Sequence, residues 1–531
     1  MKIQFLGAAR TVTGSCFIIQ TDQTRFAIDC GMHQGHRRVE ARNRDVSTYD
    51  PAAIDFIILT HAHIDHSGLL PLIVKNGFRG PVYVTEPTGE LVKILLLDSA
   101  HVQQVDAAGK NRRLLRAGLR AEEIPLYTAN DAEAVFPLLT MCAYEETFSP
   151  APGIRARLID AGHILGSAMV ELFIEEKGAT RKLVFSGDIG RPDQLLMKNP
   201  SAVRQADYLF MESTYGNRNH KGESESLDEL AEAIAYSYQN GEKVIIPAFA
   251  VERTQEILYS LRLLLSSGRL PADMPVYLDS PLAIKATEIF RRYHDYLDTE
   301  TQQLIKKGQD PLKLPNLKMS VSTEDSIRIN ETREPAIVIS GSGMANAGRV
   351  RHHLRHNLWR QGAAIVFVGF QAQGTPGRKI VDGAKKIRIF NDNVAVAAKV
   401  FTINGFSAHA GRDQLLAWLE NFQNSRMEVF LLHGEESAQD HLATVIRDKF
   451  GLDVSAPEYL EEIILGEKTE REKIRRPAPA PADEFDRRLG DLRTILDEAD
   501  GSLEKLRALP AAERAALARL LNDAARHLDE A

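Results

Sequence analysis

The pattern of apolar and polar residues predicts that the first part of the chain is built mainly from short strands. The first seven residues alternate as a strand does, and further apolar runs occur at 16–19, 25–29, 54–60, 156–158, 169–174 and 182–185. Runs of this length, rich in β-branched and aromatic residues, are typical of strands. The polar turn at 21–23 joins the runs 16–19 and 25–29 as a predicted hairpin. Long polar faces between 88 and 145 predict helix instead.

From about residue 226 the pattern changes to a regular alternation of helices and strands. Amphipathic helices are predicted at 227–238, 252–265, 283–296 and 348–358, and buried strands at 244–249, 276–278, 336–340 and 364–369. Such alternation implies parallel βαβ units, and therefore a second, α/β domain. Mixed strands and helices return between 397 and 465.

A change of composition marks the end of this globular part. Proline and alanine alternate at 477–482, which is typical of a semi-rigid, extended linker. Two helices are predicted beyond it, at 485–499 and 502–528. They carry no chemical motif, so they either pack on the body or support a homodimer.

The composition is that of an ordinary globular protein and limits its setting. The chain has 531 residues, 44% of them hydrophobic and 26% charged, which excludes a wholly disordered chain. The three cysteines show no C-x-x-C spacing, so a reducing compartment is the simplest interpretation. The sequence contains neither an apolar run of about 18 residues nor a signal peptide. We therefore predict a cytoplasmic protein without a membrane segment.

A cluster of metal-binding residue types directly follows the buried run at 54–60. Its members are His61, His63, Asp65 and His66. Imidazole nitrogens and carboxylate oxygens bind divalent metals. His61 and His63 point the same way from an extended segment, while Asp65 and His66 begin the next helix and can face a second position. This arrangement suits two adjacent metals better than a polar loop with one capping histidine.

Two single residues farther along fit the remaining ligand positions. His163 and Asp188 each lie at or after a predicted strand, between glycines that allow a close approach of the backbone. Either residue alone would favour a structural role. Together with the histidine cluster, they complete a plausible ligand set.

At this point the sequence resembles the metallo-β-lactamase family, whose signature is H-x-H-x-D-H followed by a later His and Asp. Three further motifs resemble its β-CASP branch, the nucleases related to the cleavage subunit of eukaryotic mRNA 3′-end processing. They are Glu212 in M-E-S-T-Y-G-N-R, His409 in G-F-S-A-H-A-G and His433 in L-L-H-G-E. The resemblance covers about residues 1–466 and does not extend to the tail.

The resemblance implies an α/β fold: a metallo-β-lactamase αββα sandwich, an inserted β-CASP α/β parallel-sheet domain and a short helical C-terminal extension. The implied boundaries are 1–215 for the first part of the sandwich, 216–396 for the insertion, 397–470 for the second part, 471–482 for the linker and 483–531 for the extension.

The resemblance also implies a centre of two divalent ions, zinc or manganese. One ion would be held by His61, His63 and His163, and the other by Asp65, His66 and His433, with Asp188 bridging and Asp29 orienting ligands from behind. The DNA-repair relatives of this branch usually lack a histidine at the position of His433. The resemblance therefore favours RNA as the partner.

The implied reaction is hydrolysis of a phosphodiester by a hydroxide that bridges the two metals, with catalytic roles for Asp65, Asp188, Glu212 and His409. His409 would protonate the leaving oxygen as general acid, oriented by Glu212, to give 5′-phosphate and 3′-hydroxyl ends. Ser407 would contact a substrate phosphate. Two alternatives remain, a hydrolase of small esters or thioesters and a non-catalytic RNA-binding subunit. The large insertion argues against the first, and the intact ligand set against the second.

The net charge of −7 argues at first against a nucleic-acid partner. It hides a segregated charge, because residues 349–388 contain nine Lys and Arg against one Asp, a local balance of +8. We expect this run to form an RNA clamp that weakens with salt, with Arg349, His353 and Arg378 as contacts. The glycine-rich segments 340–344 and 374–378 are expected to bind phosphate there.

Overall fold

The computed structural model describes residues 1–466, except 36, 177, 370, 373, 424 and 425, and also residues 473 and 474. The chain divides into two compact units, Met1–Glu472 and Lys473–Ala531. In the second unit the described residues form the short strand Lys473–Ile474. The predicted proline-alanine linker and the predicted terminal helices lie outside the described residues.

The first part of the sandwich contains most of its strands. Its elements are β1 Lys2–Phe5, β2 Phe17–Gln20, β3 Arg25–Ile28, α1 Arg37–Glu40, β4 Phe56–Ile58, α2 Ile64–Ser67, α3 Leu70–Lys75, β5 Val82–Thr85, α4 Glu86–Arg116, α5 Ala129–Glu133, β6 Leu139–Cys142, β7 Thr147–Ala151, β8 Ile154–Asp160, β9 Ala168–Glu176, β10 Ala179–Phe185 and β11 Tyr208–Glu212.

The insertion follows β11, and the chain then returns to the sandwich. The insertion comprises α6 Glu223–Gln239, β12 Val244–Pro247, α7 Arg253–Ser266, β13 Val276–Leu278, α8 Pro281–Arg292, α9 Thr299–Lys306, β14 Leu317–Met319, α10 Thr323–Glu331, β15 Ile337–Ser340, α11 Val350–Asn357, β16 Ala364–Phe367, α12 Pro376–Val381, β17 Lys386–Ile389, β18 Asp392–Ala395 and β19 Lys399–Thr402. The return comprises α13 Arg412–Leu419, β20 Glu428–Leu432, α14 Glu436–Phe450, β21 Asp453–Ser455 and β22 Glu462–Ile464.

Two mixed sheets pack face to face in the sandwich. One has the strand order β22-β1-β2-β3-β4-β5-β6, and the other β21-β20-β11-β10-β9-β8-β7. Stacked phenylalanines fill the space between them, with ring centroids 4.3 Å apart for Phe185 and Phe210 and 4.9 Å for Phe210 and Phe430. Helices α3 and α4 cover the outer face of the first sheet, and α13 and α14 cover that of the second. The implied αββα sandwich is confirmed.

The inserted domain has a parallel sheet in the order β14-β13-β15-β12-β16-β19. Helices pack on both of its faces, α7 and α8 on one and α11 on the other. The implied α/β insertion is therefore confirmed. Lys399–Thr402 pairs in parallel with Ala364–Phe367, so this sheet continues beyond residue 396.

The helix predicted across 88–145 is shorter than expected. Thr85 caps α4, whose first turn contains Pro87, and the helix ends at Arg116, two residues before Gly118 at φ +73°. Leu139–Cys142 then pairs in parallel with β5. Membership of a sheet is decided by partners distant in sequence, so the local polar pattern did not reveal this strand.

The chemistry-bearing residues lie at the carboxyl ends of parallel strands. β3 is parallel to β4, and β10, β11 and β20 are parallel to one another. Asp29 follows β3, Asp188 follows β10, Glu212 ends β11 and His433 follows β20. Because the carboxyl ends of parallel strands meet at one edge, residues far apart in sequence converge there.

Candidate metal centre

The histidine cluster folds as an extended segment that turns into the short helix α2. His63 caps this helix with extended backbone, and Asp65 and His66 lie within it. His61 and His63 join His163 and Asp188 in a group whose ligand atoms all lie within 4.8 Å of one another. Oδ2 of Asp188 is 3.4 Å from Nε2 of His61 and 3.6 Å from Nε2 of His163.

A second group of ligand atoms lies directly beside the first. Nε2 of His433 is 3.5 Å from Oδ2 of Asp65 and 3.2 Å from Nε2 of His66. Asp188 touches this group as well, with Oδ2 3.4 Å from His66 and Oδ1 3.4 Å from Nδ1 of His433. One carboxylate therefore stands between two sets of donors.

These spacings fit divalent cations. Two donors that share a tetrahedral ion at about 2.1 Å lie roughly 3.4 Å apart. Asp188 is 2% exposed, and within the described residues its Oδ1 accepts no hydrogen bond. A buried carboxylate oxygen without a donor is costly unless a cation satisfies it. The donor set of imidazoles and carboxylates suits zinc or manganese.

Burial and charge set the protonation of the ligands. Burial lowers the pKa of His63 to about 4 and holds the pKa of His61 and that of His163 well below the ordinary value. Burial alone would raise the pKa of Asp188, yet the surrounding imidazoles, His433 first, keep it well below its usual range. Neutral imidazoles beside an ionised carboxylate are the forms that bind a metal.

Asp29 supports the ligands from behind. Its Oδ1 accepts from the backbone N–H of Thr60 at 2.7 Å, and its Oδ2 lies 2.7 Å from Nδ1 of His66 and 2.9 Å from Oγ1 of Thr60. The same hydroxyl is 3.1 Å from Nδ1 of His61. Asp29 therefore contacts His66 through Nδ1, while Nε2 of the same ring faces Asp188.

Sequence analysis missed two threonines of this supporting layer. Thr60 contacts Asp29 and His61, and Oγ1 of Thr214 lies 3.0 Å from Nδ1 of His433. Each lies within two residues of a predicted site residue, His61 or Glu212. The sequence signal that could have identified both threonines is a hydroxyl side chain within two residues of a predicted site residue.

Glu212 and His409 form a pair at the edge of the centre. Oε1 of Glu212 accepts from the backbone N–H of Ile189 at 2.7 Å and lies 3.1 Å from Nδ1 of His409. Nε2 of His409 is 3.9 Å from Asp188. Burial works against a charged ring, but Glu212 and Asp188 outweigh it and raise the pKa of His409 to about 9. Its side chain is 19% exposed, whereas that of Glu212 is fully buried.

Ser407 and Arg191 lie on either side of this pair. Ser407 is buried two residues before His409 and hydrogen-bonds to the hydroxyl of Tyr215. Arg191 donates from its backbone to Ala408, donates from its guanidinium to the carbonyl of Gly405, and pairs with Glu256 of α7 at 3.5 Å. Arg191, which the sequence analysis did not single out, therefore ties the segment carrying His409 to the inserted domain.

The predicted RNA contacts in the insertion have partners within the insertion itself. His353 is fully buried, with Nε2 2.6 Å from Asp279, so the expectation that it contacts RNA is wrong for this structure. Arg349 donates to the same carboxylate at 2.7 Å and to two backbone carbonyls. Arg378 is 39% exposed and pairs with Asp382 on its own helix. The helical period explains the error, because His353 lies on the inward face of α11.

Among the described residues, no helix is both long enough and apolar enough to cross a membrane.

Comparison with known families gives three matches in chain order. Residues 9–129 match the model of the metallo-beta-lactamase superfamily, residues 254–380 that of the Beta-Casp domain, and residues 393–457 that of the Zn-dependent metallo-hydrolase RNA specificity domain. These matches agree with the division into sandwich, insertion and return that the strands show.

Curated relatives extend the similarity over most of the chain. Ribonuclease TTHA0252 of Thermus thermophilus is 37% identical over 436 residues, which cover 82% of this chain and 94% of that protein. Transcription termination factor FttA of Methanocaldococcus jannaschii is 32% identical over 472 residues, 87% of this chain and 71% of that protein. FttA of Pyrococcus abyssi is 32% identical over 487 residues, 88% and 71% respectively. The chain therefore belongs to the β-CASP branch of the metallo-β-lactamase superfamily.

Proposed function

We propose that this protein is a ribonuclease that hydrolyses RNA phosphodiester bonds at a centre of two divalent metal ions. The observation that carries the proposal is the position of Asp188, within 3.4–3.6 Å of imidazole nitrogens from both ligand groups. RNA as the substrate is supported by the match to an RNA specificity domain and by a relative named as a ribonuclease.

The two ligand groups divide the metal-binding residues between them. One ion would be held by His61, His63 and His163, the other by Asp65, His66 and His433, and both by Asp188. When bound, zinc or manganese supplies an acidified water as nucleophile near neutral pH and offsets the negative charge of the phosphodiester. The buried walls of the centre strengthen each of these interactions.

The chain's own residues then supply the proton for the leaving oxygen. Glu212 lies 3.1 Å from Nδ1 of His409, which leaves Nε2 of the ring on the side of Asp188. The two carboxylates favour the protonated ring, so His409 acts as general acid. Proton donation to the leaving oxygen yields a 3′-hydroxyl, and the water adds to give a 5′-phosphate. Ser407, held by Tyr215, is the proposed contact to a substrate phosphate.

The experiment compares labelled RNA, labelled DNA and a generic ester as substrates of the purified protein. We expect RNA to be cleaved. His409→Ala should lower kcat by about 10²–10⁴-fold at unchanged metal content, whereas Asp188→Asn should lose metal and activity together. His101→Ala, at an exposed position on α4, is the matched control.

Two outcomes would contradict the proposal. Preferential turnover of the ester with intact RNA would favour the small-molecule hydrolase. Undiminished RNA cleavage by Asp188→Asn would exclude the assigned centre. Sizing the products from RNAs with 5′-triphosphate, 5′-phosphate and blocked ends then separates endonucleolytic from exonucleolytic cleavage.

A further inference from the structure

Helix α4 connects the metal centre with a distant part of the surface. It starts beside the loop that carries His163, where the hydroxyls of Thr85 and Thr88 both donate to the carbonyl of Gly166, at 2.6 and 2.8 Å. The helix has 31 residues, which corresponds to about 46 Å. Most of its buried residues lie in the first half, whereas nearly all of its second half is at least partly exposed.

The helix also runs along the inserted domain. Near its start, Glu86 accepts from the hydroxyl of Tyr293 at 3.1 Å, and Glu90 pairs with Arg292 at 3.5 Å. Farther along, its charged residues act on Arg351 of α11. Burial lowers the pKa of Arg351, the charge of Asp106 on α4 raises it, and that of Arg113 lowers it. The distal half of α4 therefore lies close to the basic helix of the insertion.

The distal half of α4, with the five residues that follow the helix, carries a concentration of positive charge. Residues 107–121 contain five basic residues and no acidic one. All five are exposed: Lys110, Arg112, Arg113, Arg116 and Arg120. Among the described residues, one carboxylate pairs with this group. It is that of Glu123, whose Oε2 lies 3.6 Å from Nζ of Lys110. The four arginines are thus available to an external anion.

Exposed apolar side chains lie in the same stretch of sequence and just beyond it. Leu115 is 62% exposed, Leu119 58% and Ile124 68%. Large apolar groups that remain exposed to water are a feature of interaction surfaces. Single-stranded RNA offers both features that fit it, a phosphate at every nucleotide and base faces that pack on arginine planes and apolar groups.

We propose that the distal half of α4, together with Arg351 of α11, is a second RNA-binding surface that holds the body of a long substrate away from the scissile bond. This inference rests on the proposed function. The surface lies a helix length from the loop of His163, so a short RNA bound at the metals does not reach it. Its contribution is to substrate binding and leaves the chemical step unchanged.

The test compares RNAs of about six and about forty nucleotides, which differ in whether they span a helix of this length. In the triple variant Arg112→Gln/Arg113→Gln/Arg116→Gln, we expect KM for the long RNA to rise about tenfold, with kcat unchanged. KM and kcat for the short RNA should stay at the wild-type values. The salt dependence of long-RNA binding should become shallower by about two in a plot of log Kd against log salt, because three phosphate contacts are removed.

A matched triple variant controls for net charge. Arg155→Gln/Arg204→Gln/Arg269→Gln removes the same charge at exposed positions elsewhere on the surface and should leave both RNAs unaffected. Equal losses for the two triple variants, or equal losses for short and long RNA, would overturn the inference.

Two other outcomes are separated from these. A changed molecular mass in solution, with unchanged KM for the long RNA, would make the face a protein interface and would also overturn it. If the wild-type protein cleaves neither RNA, the proposed function itself fails. If the wild type cleaves both RNAs and the α4 variant matches it, the proposed function stands and this surface is excluded.

Discussion

Replacement of Asp29 by asparagine is expected to weaken metal binding while leaving every proposed ligand in place. Asp29 is 1% exposed and lies 2.7 Å from Nδ1 of His66. The other ring nitrogen, Nε2, faces Asp188 and His433. For Nε2 to bind a metal, the proton of the neutral ring must be on Nδ1, where the carboxylate of Asp29 accepts it.

Asparagine offers one acceptor where aspartate offers two. The backbone N–H of Thr60 is a fixed donor to Oδ1, so the amide oxygen must take that position. The amide NH₂ then faces Nδ1 of His66, donor against donor. The ring must either move or carry its proton on Nε2, which removes the lone pair from the metal. Losses of about 10–100-fold in metal affinity are typical for such supporting residues, or roughly 1.4–2.7 kcal/mol.

The assay is metal bound per chain, measured by mass spectrometry of protein equilibrated over a graded series of chelator-buffered zinc. Asp279→Asn is the matched control, because Asp279 is also fully buried and lies 2.6 Å from Nε2 of His353 and 2.6 Å from the hydroxyl of Ser326. Asp279→Asn should lower the free energy of unfolding without changing the dependence of bound zinc on zinc concentration. An Asp29→Asn curve that coincides with the wild type would refute the reasoning, as would an equal shift in both variants.

Three further perturbations test a buried ion pair, a buried histidine and the continuity of helix α4. Arg191→Met leaves Glu256 with one fewer buried partner and should lower the free energy of unfolding by about 3 kcal/mol in denaturant titrations; a loss below about 0.5 kcal/mol would contradict this. Burial lowers the pKa of His33 to about 4, so stability is lost as pH falls below the unfolded value, about 6.5. His33→Gln should therefore reduce the fall in unfolding free energy between pH 7 and 5 by about 2 kcal/mol, and an unchanged fall would exclude this role. Gly109→Ala should raise stability by about 0.5–1 kcal/mol, since an added Cβ meets nothing within 4 Å; destabilisation would mean that helix α4 is not continuous there.

The ligands could be predicted from the sequence where they are neighbours in the chain. His61, His63, Asp65 and His66 need only a strand end and one helical turn to converge, and both are encoded locally. Contacts across the fold, such as that between Thr214 and His433, depend on the parallel pairing of β11 with β20. No local pattern specifies that pairing. The family motifs identify Glu212 and His433, which lie at the ends of these two strands, but not the contact between the strands.

The errors in the insertion have a similar origin. The basic run was interpreted from its charge, which does not distinguish the two faces of α11. Its buried residues are Val350, His353, Leu354 and Asn357, the spacing of one helical face, so the period contained the information that the charge count overlooked. The partner of His353, Asp279, follows a strand 74 residues earlier. The contact with this carboxylate explains why the polar ring of His353 can be buried, and the sequence around His353 does not reveal it.

The position of the insertion explains how one sandwich accommodates so large a second domain. β11 and β20 are adjacent parallel strands, with Glu212 opposite Leu432, so the chain must cross over from the carboxyl end of one to the amino end of the other in any case. Placing the insertion in this crossover leaves both sheets of the sandwich intact. It also brings β19 and the segment of His409 directly to the carboxyl edge where the metal ligands converge. The insertion can therefore vary without altering the strands of the sandwich. Arg191, paired with Glu256 and donating to the carbonyl of Gly405, is a buried contact between the insertion and the segment that carries His409, the proposed general acid.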